Sequence, residues 1–249
     1  MSKLTSQEQR ARDMVCLPLD GLHTLAEVEA LVHELSPYVG LFKVGKESYT
    51  RFGPEVLSLV QQLGGGVFLD LKYHDIPNTV RGAARAATEL GVAIFNVHAS
   101  GGLAMMSAAM QGVEEAARPD GKRPKVIAVT VLTSIDESIL NEECGVPGQV
   151  EDQVLRLALL TSAAGLDGIV CSAADLHALK GQLSAGFLFV TPGIKGTTTP
   201  AGADQKRVFS PGRAVQDGSS LLVVGRAITG ASDRAAAARE ILQDIVNVL

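Results

Sequence analysis

Short apolar runs recur along the chain and alternate with longer segments of helical character. Their hydrophobicity is continuous rather than alternating, which is typical of parallel strands that helices cover on both faces. The eight runs are Met14 to Asp20, Gly40 to Gly45, Val67 to Lys72, Ala93 to His98, Val126 to Leu132, Gly168 to Ser172, Phe187 to Thr191 and Leu221 to Arg226.

The segments between the runs carry helix-start signals. Thr24 precedes LAEVEALVHEL and Ser232 precedes DRAAAAREILQDIVNVL, so each has the residue type and place of an N-cap. Eight strand–helix units in 249 residues favour a closed (β/α)8 TIM barrel of the α/β class, although an open doubly wound sheet gives a similar alternation. We expect a single domain over residues 1–249.

Charged residues stand at the carboxyl end of the third apolar run, in GVFLDLKYHDIPNTV. Residues two apart on a strand face the same way, so we expect Asp70 and Lys72 to face one cavity. Asp75 comes just beyond, and Pro77 is a helix-start signal. Catalytic groups of barrel enzymes lie at the carboxyl ends of strands. The alternative is an ion pair that only closes the strand end.

Polar residues also stand where other runs end. Asp20 ends LPLD, Lys43 lies in FKVG, Thr133 and Ser134 follow the fifth run, and the last runs end in TPGIK and VVGRAI. Charges placed where apolar strands stop are costly unless they meet each other or a ligand. The recurrence therefore favours a binding or catalytic site.

Composition narrows the class of protein. The net charge of −5 argues against a nucleic-acid-binding surface, whereas a small anionic ligand needs only a local cationic pocket. The three cysteines include no CxxC pair, so neither a disulfide framework nor a zinc site is expected. The first residues, MSKLTSQEQRARD, lack an apolar core, and no run approaches the about 18 apolar residues of a membrane span. We expect a cytoplasmic protein without membrane attachment.

One connection, Gly193 to Lys206, is rich in Gly, Thr, Pro and Ala and has no apolar period. Long loops without secondary structure are usually functional, so we predict a lid over a ligand. The alternative is a surface loop without a function.

Together these motifs closely resemble the bacterial orotidine 5′-phosphate decarboxylase family. The similarity runs from LPLD and FKVG through DLKYHDIPNTV, VTVLTS and TPGI to DQKR and VVGRAI, and DxKxxDIPNT is its most specific part. The resemblance implies a (β/α)8 barrel and a homodimer with active sites at the subunit interface. It also implies decarboxylation of orotidine 5′-monophosphate to UMP without a cofactor or metal.

The resemblance also implies residue roles. Lys72 would protonate C6 of the pyrimidine beside Asp70, and Lys43 would contact both its carboxylate neighbours and a ribose hydroxyl. Asp75 and Thr79 would reach into the site of the neighbouring subunit. The implied substrate contacts are Asp20, Lys43, Ile76, Pro77, Thr79, Thr133, Ser134, Pro192, Lys195, Gln205, Gly225 and Arg226, with the last two holding the phosphate.

The chain departs from the family at Lys195, where an arginine usually follows TPGI. Lysine neutralises phosphate only as a point charge, so we expect weaker anchoring there, or replacement by Arg207. Three other functions stay open. They are a Schiff-base lysine enzyme, a Mg²⁺-dependent sugar-phosphate decarboxylase or hexulose-phosphate synthase of the same superfamily, and a non-catalytic phosphate-binding barrel.

Overall fold

The computed structural model describes residues 4–116, 122–194 and 209–249. Its strands follow one another in sequence order around a closed parallel barrel of eight strands, which confirms the predicted (β/α)8 TIM barrel. The strands are β1 (Val15–Pro18), β2 (Leu41–Gly45), β3 (Gly66–Tyr73), β4 (Ile94–His98), β5 (Lys125–Val129), β6 (Gly168–Val170), β7 (Leu188–Pro192) and β8 (Leu221–Val223).

Each predicted apolar run overlaps a strand, but four runs, the first, fifth, sixth and eighth, continue beyond the end of their strand. Strand β5 ends at Val129, although the apolar run was expected to reach Leu132. Strand β8 ends at Val223, because Gly225 already caps a short helix that starts at Arg226. Apolar character therefore persists past the point where strand pairing stops.

The helices lie between the strands. They are α1 (Ser6–Asp13), α2 (Leu25–Leu35), α3 (Lys46–Phe52), α4 (Glu55–Gln62), α5 (Pro77–Glu89), α6 (Gly102–Glu115), α7 (Val150–Ala163), α8 (Leu176–Leu179), α9 (Pro211–Gln216), α10 (Arg226–Thr229) and α11 (Arg234–Val246). Thr24 caps α2 in a capping box, as predicted. The prediction of Ser232 as the cap of α11 is wrong, because the side chain of Asp233 accepts the bond from the Ala236 N–H.

The chain divides into two compact units, Met1–Asp70 with Thr191–Leu249, and Leu71–Val190. The expectation of one domain over residues 1–249 stays a prediction. In the first unit, β1 pairs in parallel with β2 and β8, and β2 pairs with the first residues of β3. Helices α1 and α9 pack on α11. Its interior is apolar and includes Leu17, Leu19 and Phe42, all with no exposed surface.

In the second unit, β4, β5, β6 and β7 pair in parallel, with His98 opposite Val129. Helices α5 and α6 pack closely at Gly112, where a Cβ atom would lie 2.2 Å from the carbonyl oxygen of Arg81. Phe95 and Ile127 are buried in its core. Within the three described ranges, no helix combines the length and apolar character needed to cross a membrane.

Candidate active site

A lysine lies between two carboxylates in the first unit. Lys43 Nζ is 3.2 Å from Asp20 Oδ2 and 3.1 Å from Asp70 Oδ2. Strand pairing brings these residues together, because Lys43 is opposite Pro18 on β1, and Asp70 is opposite Gly45 on β2. The Lys43 and Asp70 side chains are only 12% and 11% exposed, whereas Asp20 is 48% exposed. The three residues form what we call the Lys43 cluster.

The Lys43 cluster holds its lysine as an ammonium. Burial of Lys43 favours the neutral amine, but Asp70 and Asp20 outweigh this effect and raise the pKa of Lys43 above its ordinary value. The cluster pairs one ammonium with two carboxyl groups, one of them facing solvent. Polar hydrogens of a ligand would find acceptors there.

Two residues that sequence reasoning did not select support the Lys43 cluster. The Ser48 hydroxyl donates to the Leu19 carbonyl oxygen at 2.7 Å, next to Asp20. Gly45 leaves room for the ion pair, because a Cβ there would lie 2.8 Å from Asp20 Oδ1 and 3.0 Å from Lys43 Nζ. Ser48 has no sequence signal, since it looks like an ordinary helix residue. Gly45 has a weak sequence signal, because it is a glycine at the end of an apolar strand.

Lys72 has an unusual backbone. It lies near the end of β3 and has a φ of 53°, and it is the one non-glycine residue of positive φ in the described part of the chain. The left-handed region costs a side-chain-bearing residue about 1–2 kcal/mol. The Lys72 N–H donates to Asn96 Oδ1 at 2.8 Å, and Asn96 on β4 is only 1% exposed. Sequence reasoning did not select Asn96, whose signal is a polar residue inside the apolar run IFNVH.

The DIPNT segment folds into a tight strand-to-helix turn. Asp75 Oδ1 accepts a hydrogen bond from the Ile76 N–H at 2.6 Å, Ile76 is the N-cap residue of α5, and Pro77 is its first residue, as predicted. Asp75, Pro77 and Thr79 are exposed, and Ile76 is 67% exposed. These residues face outward rather than into a packed core.

The other predicted site residues are dispersed among several loops. Thr133 and Ser134 are exposed in a turn beyond β5 rather than at its end. Pro192 closes β7 and is half-buried. Gly225 is the N-cap residue of α10 and the exposed Arg226 is its first residue.

Lys195, Gln205 and Arg207, with most of the predicted lid, lie outside the described residues. In the described ranges, no group of three or more His, Cys, Asp or Glu side chains is arranged as a metal site. The expected absence of a metal and a cofactor stays a prediction.

A family model described as "Orotidine 5'-phosphate decarboxylase / HUMPS family" matches residues 13–241. The chain belongs to this family. It is 50% identical to the orotidine 5′-phosphate decarboxylase of Moorella thermoacetica over 94% of its own length and 93% of that relative's. It is 44% identical to that of Syntrophus aciditrophicus over 100% and 99% of the two chains.

Solved structures agree with this membership. The crystal structure of orotidine 5′-phosphate decarboxylase from Lactobacillus acidophilus is 37% identical, with a TM-score of 0.81, over 93% of this chain and 98% of that one. The span matched by the decarboxylase/HUMPS family model includes every predicted site residue, from Asp20 to Arg226. The identification therefore extends over the whole candidate site.

Proposed function

We propose that this chain decarboxylates orotidine 5′-monophosphate to UMP, the last step of de novo pyrimidine nucleotide synthesis. The charge pattern of β3 carries the proposal. Asp70 is paired with Lys43, and Lys72 follows two residues later on the same strand. Full-length similarity to decarboxylases of this name supports the same activity.

The chemistry needs fixed charges. When the bond between C6 and the carboxylate breaks, the electron pair stays on C6 in an sp² orbital that cannot delocalise into the ring. An ammonium at Lys72 stabilises this charge, and preorganised charges in a dry site are strong transition-state stabilisers. Lys72 then gives its proton to C6 and regains one from water, so the substrate and water become UMP, CO₂ and hydroxide, with atoms and charges balanced.

The remaining substrate contacts belong to the same proposal. Lys43 is held as an ammonium by two carboxylates, so a further N–H can donate to a ribose hydroxyl that Asp20 also binds. Thr133 and Ser134 meet the pyrimidine ring edge. Pro192 is a further substrate contact, and Gln205 bridges the ring and the phosphate. The phosphate is held by Lys195, Gly225 and Arg226, with Arg226 at the start of α10.

We also propose a homodimer in which Asp75 and Thr79 serve the neighbouring subunit's site, next to its substrate contacts Ile76 and Pro77. Exposed apolar residues on the segments that follow three successive strands support the proposed homodimer. Ile76 after β3 is 67% exposed, Leu103 after β4 is 47% exposed, and Leu132 after β5 is 40% exposed. Apolar surface of this kind marks protein–protein interfaces.

We place the protein in the cytoplasm. All three cysteines, Cys16, Cys144 and Cys171, are free thiols. Burial raises the pKa of the Cys16 and Cys171 thiols well above its ordinary value, so both stay protonated and are poor nucleophiles. Unpaired thiols suit a reducing compartment.

The activity is tested by the fall in absorbance when the purified protein is mixed with orotidine 5′-monophosphate. We expect Lys72→Ala to lower kcat by at least about 10⁴-fold, because both the cation and the proton donor are lost. The control is Lys180→Ala, an exposed lysine at the end of α8, which should leave kcat unchanged. Release of CO₂ by Lys72→Ala at the parent rate contradicts the mechanism. Loss of activity in EDTA would favour a Mg²⁺-dependent sugar-phosphate enzyme of the same superfamily. Covalent trapping of a carbonyl substrate on Lys72 by borohydride would favour a Schiff-base enzyme.

The shared site is tested by mixing subunits. Lys72→Ala and Asp75→Ala are each expected to be inactive alone. When they are refolded together, half of the dimers are hybrids that have one intact site, so about a quarter of the parent activity should return. If the mixture stays inactive, Asp75 acts within its own subunit and the shared-site proposal fails.

A further inference from the structure

We infer that Asn96 is a positioning residue that holds the backbone of Lys72 so that its amine points at the reacting carbon. The inference rests on the proposed function, which makes Lys72 the proton donor. It concerns only contacts within the second unit.

The conformation of Lys72 would suit glycine better than lysine. Its φ of 53° lies in the left-handed region, which residues with a Cβ rarely adopt. Glycine would relieve the strain but would remove the amine. A lysine required by the chemistry must therefore be stabilised in this conformation by a neighbour.

Asn96 provides that stabilisation. It lies on β4 between the buried Phe95 and Val97 and is only 1% exposed. A primary amide inside an apolar strand is costly unless it is hydrogen-bonded, and Asn96 Oδ1 accepts the Lys72 N–H at 2.8 Å. Because the asparagine side chain is short and packed, it fixes the Lys72 amide and with it the direction of the Cα–Cβ bond.

This contact differs from a catalytic one. Asn96 Oδ1 meets the backbone of Lys72, so removing it shifts the lysine without changing the net charge of the site. A misplacement of 1 Å costs an enzyme about 10²-fold in rate. Ribose and phosphate binding lies on other residues, so substrate affinity should change far less than turnover.

The test compares three variants of the full-length protein. Asn96→Ala removes the acceptor, and we expect kcat to fall about 10²-fold with KM changed less than about threefold. Asn96→Asp keeps an oxygen at the same place, and we expect it to be at least about tenfold faster than Asn96→Ala. The matched control is Thr161→Ala in α7, which removes a hydroxyl with no exposed surface that donates to Leu157 at 2.7 Å.

A merely structural role predicts a different result. Asn96→Ala and Thr161→Ala would then lose similar thermal stability and similar small fractions of kcat, and Asn96→Asp would be no better than Asn96→Ala. Either finding overturns the inference. If Asn96→Ala does not fold, Asn96→Ser carries the same expectation, because its shorter hydroxyl does not reach the Lys72 amide.

A second measurement separates this inference from the proposed function. Lys72 is half-buried, so an acylating reagent can label its amine without any substrate, and mass spectrometry gives the rate. We expect Asn96→Ala to change the Lys72 labelling rate at least about threefold while Thr161→Ala leaves it unchanged. If the parent protein fails to decarboxylate orotidine 5′-monophosphate, the proposed function fails, and the labelling still decides the role of Asn96. Equal labelling rates in all variants refute it.

Discussion

Two clusters of charged side chains in this molecule have opposite ratios of positive to negative groups. The Lys43 cluster places one cation between two carboxyl groups. The second, the Asp167 cluster, places one carboxylate between two cations. The first stands at the carboxyl ends of β1, β2 and β3, and the second stands where β5 and β6 begin.

The Asp167 cluster is saturated with hydrogen bonds. Asp167 accepts two bonds from Arg123, at 2.6 and 3.0 Å, one from Lys125 at 3.1 Å and one from the Val126 N–H at 2.8 Å. Burial alone would raise the pKa of Asp167, but the bonds from Arg123, Val126 and Lys125 outweigh it and lower that pKa. The carboxylate has its acceptor capacity filled by the protein itself.

The Lys43 cluster is open by comparison. A lysine ammonium is a compact charge without the planar fork that Arg123 offers Asp167, and half of the Asp20 side chain faces solvent. Charges at the amino end of barrel strands serve stability, and charges at the carboxyl end serve chemistry. Under the proposed function, the cluster with fewer donors than its carboxyl groups can accept is the one that binds a ligand.

Of the substitutions that test the difference between the two clusters, Lys43→Met has the largest expected effect, and it acts on catalysis. The change keeps the length of the side chain but removes the cation that lies between Asp20 and Asp70, and with it a donor to the substrate. We expect kcat/KM to fall about 10³-fold in steady-state kinetics with orotidine 5′-monophosphate. Lys180→Met is the control. A fall of less than about tenfold would place the Lys43 cluster with the structural ion pairs.

Asp167→Asn gives the next largest effect, and it acts on stability. The change leaves Arg123 and Lys125 without their counter-ion, so we expect the free energy of unfolding to fall by about 2–3 kcal/mol. In this length of chain that lowers Tm by about 5–10 °C. The kcat of the folded protein should not change.

The control for Asp167→Asn is Asp217→Asn, which breaks an exposed ion pair between Arg213 of α9 and Asp217, the residue that follows this helix. Pairs of this kind contribute at most about 0.5 kcal/mol. If both variants unfold at the same temperature as the parent, the Asp167 cluster does not stabilise the protein.

The smallest expected effect is a difference in pH dependence between the stabilisation by Asp167 and the stabilisation by Lys43. The pKa of Asp167 is lowered by folding, so its stabilisation is complete above the ordinary aspartate value of 3.8 and is lost as the pH falls through the lowered pKa. The pKa of Lys43 is raised, so its stabilisation is complete below the ordinary lysine value of 10.5 and is lost above it.

Denaturant unfolding at several pH values measures both limits. The curves of the parent and Asp167→Asn should approach each other as the pH falls into the acid range, and those of the parent and Lys43→Met should do so as the pH rises into the alkaline range. If the separation between either pair of curves does not change in its stated range, another group carries the stabilisation.

Much of the barrel was predictable because its strands are uninterrupted apolar runs and its helices begin with recognisable caps. The ends were less predictable. Hydrophobicity continues past Val129, and side-chain pattern does not record where backbone pairing stops. Ser232 and Asp233 are both good caps, and only the folded backbone decides between them.

The charged residues of the candidate site could be recognised in the sequence, because Asp70 and Lys72 interrupt an apolar strand end, and their roles stay predictions. The residues that support them could not be recognised in this way. Ser48 and Asn96 form hydrogen bonds with backbone groups far away in sequence, and such bonds leave no periodic signal. The need for Asn96 arises from the φ of Lys72, which exists only in the folded chain.

Gly45 has a consequence for protein engineering. Because glycine has no Cβ atom, it leaves space for the Asp20–Lys43 ion pair, which a Cβ atom at this position would approach too closely. Alanine at this position would displace the ends of the Asp20 and Lys43 side chains, so we expect saturation mutagenesis to find reduced activity there, although the proposed function gives Gly45 no substrate contact. Libraries meant to change the substrate range are therefore best built with codon 45 held constant.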